Sequence, residues 1–269
     1  MKIKVLKFGG TSVGSIEAIK RSADIIHDWS KKSKVIAVLS AMSGETDRLI
    51  DLTNSFSKNP NPIDFDNAVS SGENVSCALM SICLNNQKIK AKSVISWQIP
   101  IITSLDHMKS RILSINKKFL FDELENFDVL VIPGFQGINN KGEITTLGRG
   151  GSDTSAVAIA AVMEAECIIY TDVEGVFTTD PNIVSKAKKI SKISYEEMLE
   201  LASQGAKVLQ TRSVELAMRK NTKLSVRSSL KPKKNGTMIT NENSVLENNT
   251  VSGITYSKDE AKITLSRVQ

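Results

Sequence analysis

The segment Val35-Ile36-Ala37-Val38-Leu39 is a run of wholly apolar residues that leads into the small-residue loop Ser40-Ala41-Met42-Ser43-Gly44. A short apolar run ended by such a loop is typical of a strand that is buried on both faces. Strands of this kind belong to parallel sheets that helices cover on both sides. The segment therefore predicts an α/β fold, a three-layer αβα sandwich with a mostly parallel central sheet.

Strand and helix patterns alternate along the rest of the chain, as this fold requires. The predicted strands are residues 2–8, 35–39, 94–102, 129–132, 167–170 and 224–227, with residues 142–147 as one arm of a hairpin. The predicted helices are residues 16–29, capped by Ser15, and residues 46–56, 66–84, 117–125, 152–164 and 196–220, the last as one or two helices.

Composition excludes several classes of protein. Hydrophobic residues make up 41% of the 269 residues and charged residues 24%, so a disordered chain is not expected. The net charge of +6 is scattered along the chain, and aromatic residues are only 5%, so nucleic-acid binding is not predicted. The N-terminal segment has no signal-peptide pattern and no apolar run is long enough to span a membrane. We expect a cytoplasmic protein without membrane contact.

The cysteines and histidines predict no metal site. Cys77, Cys83 and Cys167 show no CxxC spacing, and the two histidines, His27 and His107, lie far apart in the sequence. A zinc site or a Cys-His nucleophile needs a closer set of such residues. Three reduced cysteines are the expectation that fits a cytoplasmic protein.

The first segment with chemical potential is Lys7-Phe8-Gly9-Gly10-Thr11-Ser12, at the end of a predicted strand. Glycines let backbone N–H groups approach a phosphate closely, and a lysine adds a positive charge. The segment has neither the GxxxxGK[ST] pattern of a Walker loop nor the GxGxxG pattern of a dinucleotide-binding fold. Alone, it fits a phosphate-binding turn and a tight turn after an edge strand equally well.

The second segment, residues 145–155, has the sequence TTLGRGGSDTS, in which three glycines flank Arg149 and a helix begins near Ser152. The N-terminus of a helix favours an anion, and arginine can bind a carboxylate through two parallel hydrogen bonds. Asp153 alone would fit a capping role. Capping explains neither the glycines nor the arginine, so we interpret the segment as an anion-binding site.

The third segment, residues 170–181, has the sequence YTDVEGVFTTDP and follows a predicted buried strand. Ligands of α/β proteins bind beyond the carboxyl ends of the strands. A plain turn that ends in Asp-Pro explains the same residues. The segment by itself does not distinguish the two.

Together, and in this order, the three segments and Gly205-Ala206-Lys207-Val208-Leu209 resemble the amino-acid kinase family. The sequences KFGGTSVG at residues 7–14, GFQG at 134–137 and GRGGSDTS at 148–155 are similar to the aspartokinases within it. The resemblance covers the chain from residue 1 to about 269 and implies the amino-acid kinase fold. It also implies ATP-dependent phosphorylation of the side-chain carboxylate of L-aspartate. The product, 4-phospho-L-aspartate, leads toward lysine through diaminopimelate, threonine and methionine.

The resemblance implies a role for each matching residue. The implied catalytic residues are Lys7, Asp153 and Arg149. Lys7 would stabilise the moving phosphoryl group, and Asp153 would organise the Lys7 side of the centre. The implied substrate-binding residues are Ser40, Thr46, Glu73, Arg149, Gly150, Gly151 and Ser152. Arg149 would bind the aspartate carboxylates and Glu73 the α-ammonium group. The implied nucleotide-binding residues are Lys7, Gly9, Gly10, Thr171, Asp172, Phe177, Asp180, Lys207 and Val208.

Two departures from the family pattern concern the nucleotide. The family usually has tyrosine and arginine where this chain has Phe177 and Asn182. Phe177 lacks a hydroxyl group but keeps an aromatic face, and Asn182 lacks a positive charge, so weaker ATP binding is expected. The substrate carboxylate is itself a nucleophile, so the reaction requires no strong base. Mg²⁺ often sits mostly on phosphate and water, and no protein metal ligand is predicted.

The resemblance also implies a domain organisation. Residues 1–230 would form the catalytic domain, residues 231–250 a linker, and residues 251–269 the start of a truncated ACT regulatory domain. A homodimer is expected by analogy, and a separate regulatory chain is a further candidate partner. Two alternatives stay open: a kinase of the same superfamily that acts on glutamate, acetylglutamate or UMP, and a non-catalytic fragment or partner.

Overall fold

The computed structural model describes residues 2–95, 97–98, 101–205, 208–241 and 253–255. The strands are β1 Ile3–Phe8, β2 Lys34–Leu39, β3 Ala91–Ser93, β4 Ile101–Thr103, β5 Ile112–Ile115, β6 Val129–Pro133, β7 Gln136–Ile138, β8 Ile144–Thr146, β9 Glu166–Thr171, β10 Lys192–Ser194, β11 Leu224–Ser228 and β12 Thr237–Thr240. The helices are α1 Ile16–Ser30, α2 Glu45–Phe56, α3 Pro62–Val69, α4 Ser71–Asn86, α5 Lys117–Asn126, α6 Gly151–Val162, α7 Tyr195–Ser203 and α8 Thr211–Arg219.

Eight strands form the main sheet in the order β10-β12-β11-β9-β1-β2-β6-β3. All neighbours in it are parallel except the pair β11 and β12. The prediction of a mostly parallel central sheet is therefore confirmed. A second sheet has the order β5-β4-β7-β8, and its strands come from the segments before and after β6 in the chain.

Two separate hydrophobic cores lie on opposite faces of the main sheet, because alternate residues of each strand point to opposite sides. On β1, Val5 belongs to the core shared with α5, α6, α7 and α8. Its neighbour Leu6 belongs to the core shared with α1 and α4. Residues 35–39 of β2 are continuously apolar because both faces of this strand are covered, as the sequence pattern predicted.

The first helix shows how the local sequence sets the element. Ser15 has extended backbone angles, and its side chain accepts a hydrogen bond from the N–H of Ala18. This is the N-cap geometry that satisfies a free donor at the helix start, so the predicted cap is confirmed. Ile19 and Ile26 lie on the buried face of α1. Because α1 connects the parallel neighbours β1 and β2, it runs antiparallel to them, and its buried face covers one side of the sheet.

Three predicted elements differ from the structure. The strand predicted at residues 94–102 is wrong: β3 ends at Ser93 and β4 begins at Ile101. The helix predicted at residues 66–84 is two helices, α3 and α4, which meet at Ser70. The predicted linker at residues 231–250 is wrong for residues 237–240, which form β12 inside the main sheet. Most of the predicted ACT segment, residues 251–269, lies outside the described residues.

A helix that crosses a membrane must be long and apolar along its length. No helix in the described part of the chain has both properties.

Candidate active site

The candidate site lies where the carboxyl ends of β1, β2 and β9 meet. Phe8, the last residue of β1, is in register with Leu39 of β2 and Tyr170 of β9. The loops that follow these strands therefore emerge side by side at one edge of the sheet. Parallel α/β sheets bind ligands at this edge. The fold thus brings together three segments that are far apart in the sequence.

The turn after β1 is a single 3₁₀ turn over Gly10–Ser12. Glycine at position 10 matters because a Cβ atom there would lie 3.2 Å from the carbonyl oxygen of Ala41. A Cβ atom at Gly9 would lie 3.4 Å from Nζ of Lys7. The two glycines therefore keep the backbone close to the loop after β2 and leave space beside the lysine ammonium group.

Lys7 and Asp153 form an ion pair of 2.7 Å between Nζ and Oδ1. Lys7 comes from the end of β1 and Asp153 from the first turn of α6, and both side chains are nearly buried. The pair joins the glycine turn to the helix N-terminus. The structure thus places two predicted catalytic residues in direct contact, and the ion pair fixes the position of the lysine ammonium group.

The N-terminus of α6 is shaped by a left-handed glycine. Gly150 precedes the helix with φ of 72°, a conformation that side chains other than glycine rarely adopt. Ser152 and Asp153 follow in the first turn and are buried. Gly134 packs against them, since a Cβ atom there would lie 2.7 Å from Cβ of Ser152. The backbone N–H groups of this first turn provide a site for an anion.

Arg149 stands at the surface next to this helix start. Its side chain is exposed and forms no ion pair with any residue in the part of the chain that the structure describes. A cation without a partner beside a helix N-terminus is suited to bind a carboxylate of a ligand. Gly151 fixes the approach of the loop, because a Cβ atom there would lie 2.9 Å from Cβ of Leu147.

Glu73 is a buried carboxyl group with one free oxygen. It lies in the first turn of α4 and is only 2% exposed. Its Oε1 accepts a hydrogen bond of 3.1 Å from the N–H of Ala41, whereas Oε2 is buried without a partner in the described residues. Burial raises the pKa of Glu73 to about 8, although the hydrogen bond from Ala41 acts in the opposite direction.

The remaining predicted substrate residues lie around the loop after β2. The N–H of Ser40 donates to the carbonyl oxygen of Phe8 at 3.1 Å, and the carbonyl oxygen of Ser40 accepts from the hydroxyl of Ser76 at 2.8 Å. Ser40 is therefore held between β1 and α4. Thr46 is half-buried in the first turn of α2. Both lie on segments that adjoin the loop of Ala41.

The predicted nucleotide residues lie mainly in the loop after β9. The hydroxyl of Thr171 donates to the carboxylate of Asp172 at 3.0 Å. The backbone of Phe177 pairs with that of Lys189 in a single bridge. The carboxylate of Asp180 accepts from the N–H of Asn182 at 2.8 Å, so it orders the turn that follows.

The last two predicted nucleotide residues, Lys207 and Val208, come before α8, and residues 253–255 contact the loop after β9. Val208 is half-buried before α8, whereas Lys207 lies outside the described residues. The carbonyl oxygen of Thr178 accepts a hydrogen bond of 2.8 Å from the N–H of Ile254. The short segment of residues 253–255 therefore lies against the loop after β9, where most of the predicted nucleotide residues are.

One buried network near the site was not predicted. Asp66 is completely buried and accepts hydrogen bonds from His107 at 2.8 Å and from the hydroxyl of Thr146 at 2.6 Å. Arg212 donates to the carbonyl oxygens of Leu147 and Ser110, both at 2.9 Å. These contacts hold the loop that carries Arg149. Sequence spacing gave no signal for them, because Asp66 and Thr146 are 80 positions apart.

The described residues contain no group of three or more His, Cys, Asp or Glu side chains that could hold a metal ion. Cys77, Cys83 and Cys167 are free thiols. The charged groups that the site does offer are Lys7, Asp153, Glu73 and Arg149, a set suited to an anionic ligand that also carries an ammonium group.

Comparison with known proteins agrees with this geometry. A family model described as the amino acid kinase family matches residues 2–228. The chain belongs to the amino acid kinase family. Over its whole length it is 48% identical to an aspartate kinase of Pseudomonas fluorescens and covers 66% of that protein. It is 46% identical to an aspartokinase of Rickettsia felis and covers 68% of it. This member of the amino acid kinase family thus spans about two thirds of the length of these curated relatives.

Solved structures of the amino acid kinase family share the fold. Aspartokinase III of E. coli, in complex with aspartate and ADP, matches with a TM-score of 0.79 and 29% identity, over 89% of this chain and 65% of that chain. Aspartate kinase from Synechocystis matches with a TM-score of 0.78 and 44% identity, over 88% of this chain and 40% of that chain. A uridylate kinase of Archaeoglobus fulgidus, 17% identical with a TM-score of 0.62, shares the fold alone.

Proposed function

We propose that this chain carries the catalytic site of an aspartate kinase, which transfers the γ-phosphoryl group of ATP to the side-chain carboxylate of L-aspartate. The observation that carries the proposal is Glu73, a buried carboxyl group with one unpartnered oxygen. An α-ammonium group would satisfy that oxygen and offset the desolvation of the charged carboxylate. The similarity to aspartate kinases over the whole chain supports the same substrate.

The reaction needs positioning and charge neutralisation more than a base. A carboxylate oxygen of aspartate attacks the γ-phosphorus, the bond to the β,γ-bridging oxygen breaks, and ADP leaves. Lys7, held at 2.7 Å by Asp153, would neutralise charge on the transferring group. Arg149 would anchor carboxylate oxygens of the substrate, and the glycine turn after β1 would support the phosphates.

The proposal includes Mg²⁺, brought in with ATP and held by phosphate oxygens and water. When bound, the ion would neutralise phosphate charge and orient the leaving group. We also propose a cytoplasmic location and a homodimer as the working unit, with regulation supplied by a separate chain. These features follow by analogy with the family.

The test is hydroxamate formation by purified protein supplied with aspartate, ATP and Mg²⁺, since hydroxylamine traps an acyl phosphate. We expect activity in the parent and a loss of about 100-fold or more in Lys7→Ala, a typical cost of removing a group that stabilises transition-state charge. Lys4→Ala is the matched control, because Lys4 lies on the same strand and also forms a largely buried ion pair, with Glu166.

The control variant should retain activity. If the folded parent forms no hydroxamate with aspartate but phosphorylates glutamate, acetylglutamate or UMP, then that compound is the substrate and aspartate is not. A folded parent that fails to bind ATP in calorimetry would instead favour a non-catalytic role.

A further inference from the structure

A cavity of about 490 Å³ lies on the α1 side of the main sheet. Its walls come from α1 and Lys32 just after it, from Tyr170 and Arg227 near the carboxyl ends of β9 and β11, and from Ser229, Leu230, Pro232 and Lys233. None of the residues assigned above to substrate, phosphate or catalysis lines it. The cavity is therefore distinct from the candidate active site.

Positive charge dominates the wall of this cavity. Four cationic side chains line it, and none of them forms an ion pair within the described part of the chain: Arg21, Lys32, Arg227 and Lys233. The two acidic residues of the wall are engaged by partners that do not line the cavity. Asp24 accepts from Gln87 at 2.9 Å, and Asp28 pairs with Lys31 at 2.9 Å. The charge that faces a ligand is thus mainly positive.

Arg227 is the residue that points most directly to a ligand. Its guanidinium carbon lies 5.8 Å from the centre of the Trp29 ring, so the group is held in place against an aromatic face. Its Nε is buried and has no hydrogen-bond partner among the described residues. A buried donor without a partner is costly, and a charged one more so. An oxyanion would satisfy this donor and neutralise the guanidinium group.

The wall also has an apolar part. Ile25 and Trp29 come from α1, and Leu230 and Pro232 come from the segment after β11. Pockets that combine apolar walls with a few fixed polar groups are typical of small-molecule sites. We propose that this cavity binds a small organic oxyanion, a phosphate or carboxylate group carried on a partly apolar body.

The cavity adjoins the turn after β1. Ser229 lines it, and the hydroxyl of Ser12 donates to the hydroxyl oxygen of Ser229 at 2.9 Å. Tyr170, also in the wall, stacks on Phe8 with ring centres 5.0 Å apart. One layer of side chains thus separates a bound anion from the glycine turn. Anion binding in this cavity does not require the proposed kinase activity.

The experiment measures binding through the fluorescence of Trp29, which lies in the cavity wall. The sequence contains two tryptophans, so Trp97→Phe leaves Trp29 as the single indole in the cavity wall. This protein is titrated with phenyl phosphate, phenylacetate and the neutral benzyl alcohol while fluorescence is recorded. We expect saturable changes with one or both anions and none with benzyl alcohol. The stronger of the two anions identifies phosphate or carboxylate as the preferred group.

Variants separate this site from the active site. Arg227→Gln should weaken anion binding about tenfold or more, the usual cost of losing a hydrogen bond to a charged group. Arg219→Gln, at an exposed arginine on α8, is the matched control and should bind as the parent does. Lys7→Ala should also leave binding unchanged. The exposed pair Lys32→Gln and Lys233→Gln provides a second test if Arg227→Gln does not fold, and should weaken binding several-fold.

The proposal is overturned if neither anion gives a saturable change, or if benzyl alcohol binds as tightly as phenyl phosphate. It is also overturned if Lys7→Ala abolishes binding, which would place the anion at the active site. Equal binding by the folded Arg227→Gln variant and the parent would likewise reject it. A failure of hydroxamate formation would leave all of these readouts intact, so the two proposals fail separately.

Discussion

At the scale of single residues, the candidate site contains two buried carboxyl groups in opposite situations. Asp153 forms an ion pair with Lys7 at 2.7 Å, whereas Glu73 forms no ion pair with any described residue. The resemblance to the family predicted both positions. It could not predict this difference, because the surroundings of Glu73 depend on the loop of Ala41, which is 32 positions away in the chain.

The raised pKa of Glu73 predicts a pH-dependent affinity for aspartate. The carboxyl group must be ionised to bind an ammonium group, and burial raises its pKa to about 8 in the free protein. The kcat/KM for aspartate should therefore rise about tenfold per pH unit below that value and then level off. In Glu73→Gln, kcat/KM should be low and lack this rise. A parent profile that is flat between pH 6 and pH 8 would contradict the assignment.

The same shift predicts an effect on stability. A carboxyl group whose pKa is higher in the folded state than in the unfolded state makes its full contribution to the free energy of unfolding only at low pH, where it is protonated in both states. This contribution is lost as pH rises from about 4.5 to about 8. Glu73→Gln should therefore gain stability relative to the parent by roughly 2 to 4 kcal/mol between pH 5 and pH 8. Denaturant unfolding at both pH values measures this, and an unchanged difference between the two proteins would refute it.

At the scale of elements, sequence patterns predicted the strands of the central sheet and the helices that pack on it, but they did not predict the short elements. Residues 35–39 and 129–132 are continuously apolar and form β2 and β6. Residues 94–102 are also apolar in part, yet of the described residues in this range only Ile101 and Ile102 enter a strand, in the smaller sheet. Local pattern cannot tell which of two sheets will supply hydrogen-bond partners.

Two glycines with left-handed backbone angles, Gly150 before α6 and Gly142, allow the stability cost of the backbone conformation to be separated from the cost of a steric clash. Gly150 has φ of 72°, and a Cβ atom there would lie 2.0 Å from Cγ of Gln210. Gly142 has φ of 80° with no atom within 4 Å of such a Cβ. Gly142→Ala should lower stability by about 1 to 2 kcal/mol through the left-handed backbone alone and leave activity intact.

Gly150→Ala should cost more stability than Gly142→Ala and reduce kcat/KM as well, since the clash displaces the loop that carries Arg149. Adding Gln210→Ala should recover part of the additional loss. Thermal unfolding and steady-state kinetics of the three variants measure both effects. Equal losses of stability in Gly142→Ala and Gly150→Ala would show that the clash with Gln210 adds nothing to the cost of the left-handed backbone.

At the scale of the whole molecule, the main sheet continues past the boundary predicted at residue 230. β12 lies between β10 and β11, and Ile239 is part of the larger core. The close approach at Gly236, where a Cβ atom would lie 1.7 Å from the carbonyl oxygen of Val226, fixes the strand in place. The polar composition of residues 231–250 hid this strand, because only alternate residues of so short a segment are buried.

Two truncated chains test this boundary. A chain that ends at residue 230 loses β12 and leaves β10 without a neighbour in the main sheet, whereas a chain that ends at residue 241 keeps both. We expect the shorter chain to unfold at a temperature about 10 °C lower or more, because it loses a buried strand and the buried Thr237. Both chains lack residues 242–269, so the comparison isolates residues 231–241, which include β12. Equal melting temperatures of the two chains would support the predicted end of the catalytic domain at residue 230.

The hydrogen bond between Ile254 and Thr178 has a mechanical consequence. It attaches residues 253–255 to the loop that also holds Phe177. A load applied to the chain at Ile254 would act first on Thr178, and through it on the bridge between Phe177 and Lys189. We therefore expect tension at this attachment to shorten the residence time of a bound nucleotide before it disturbs the two cores.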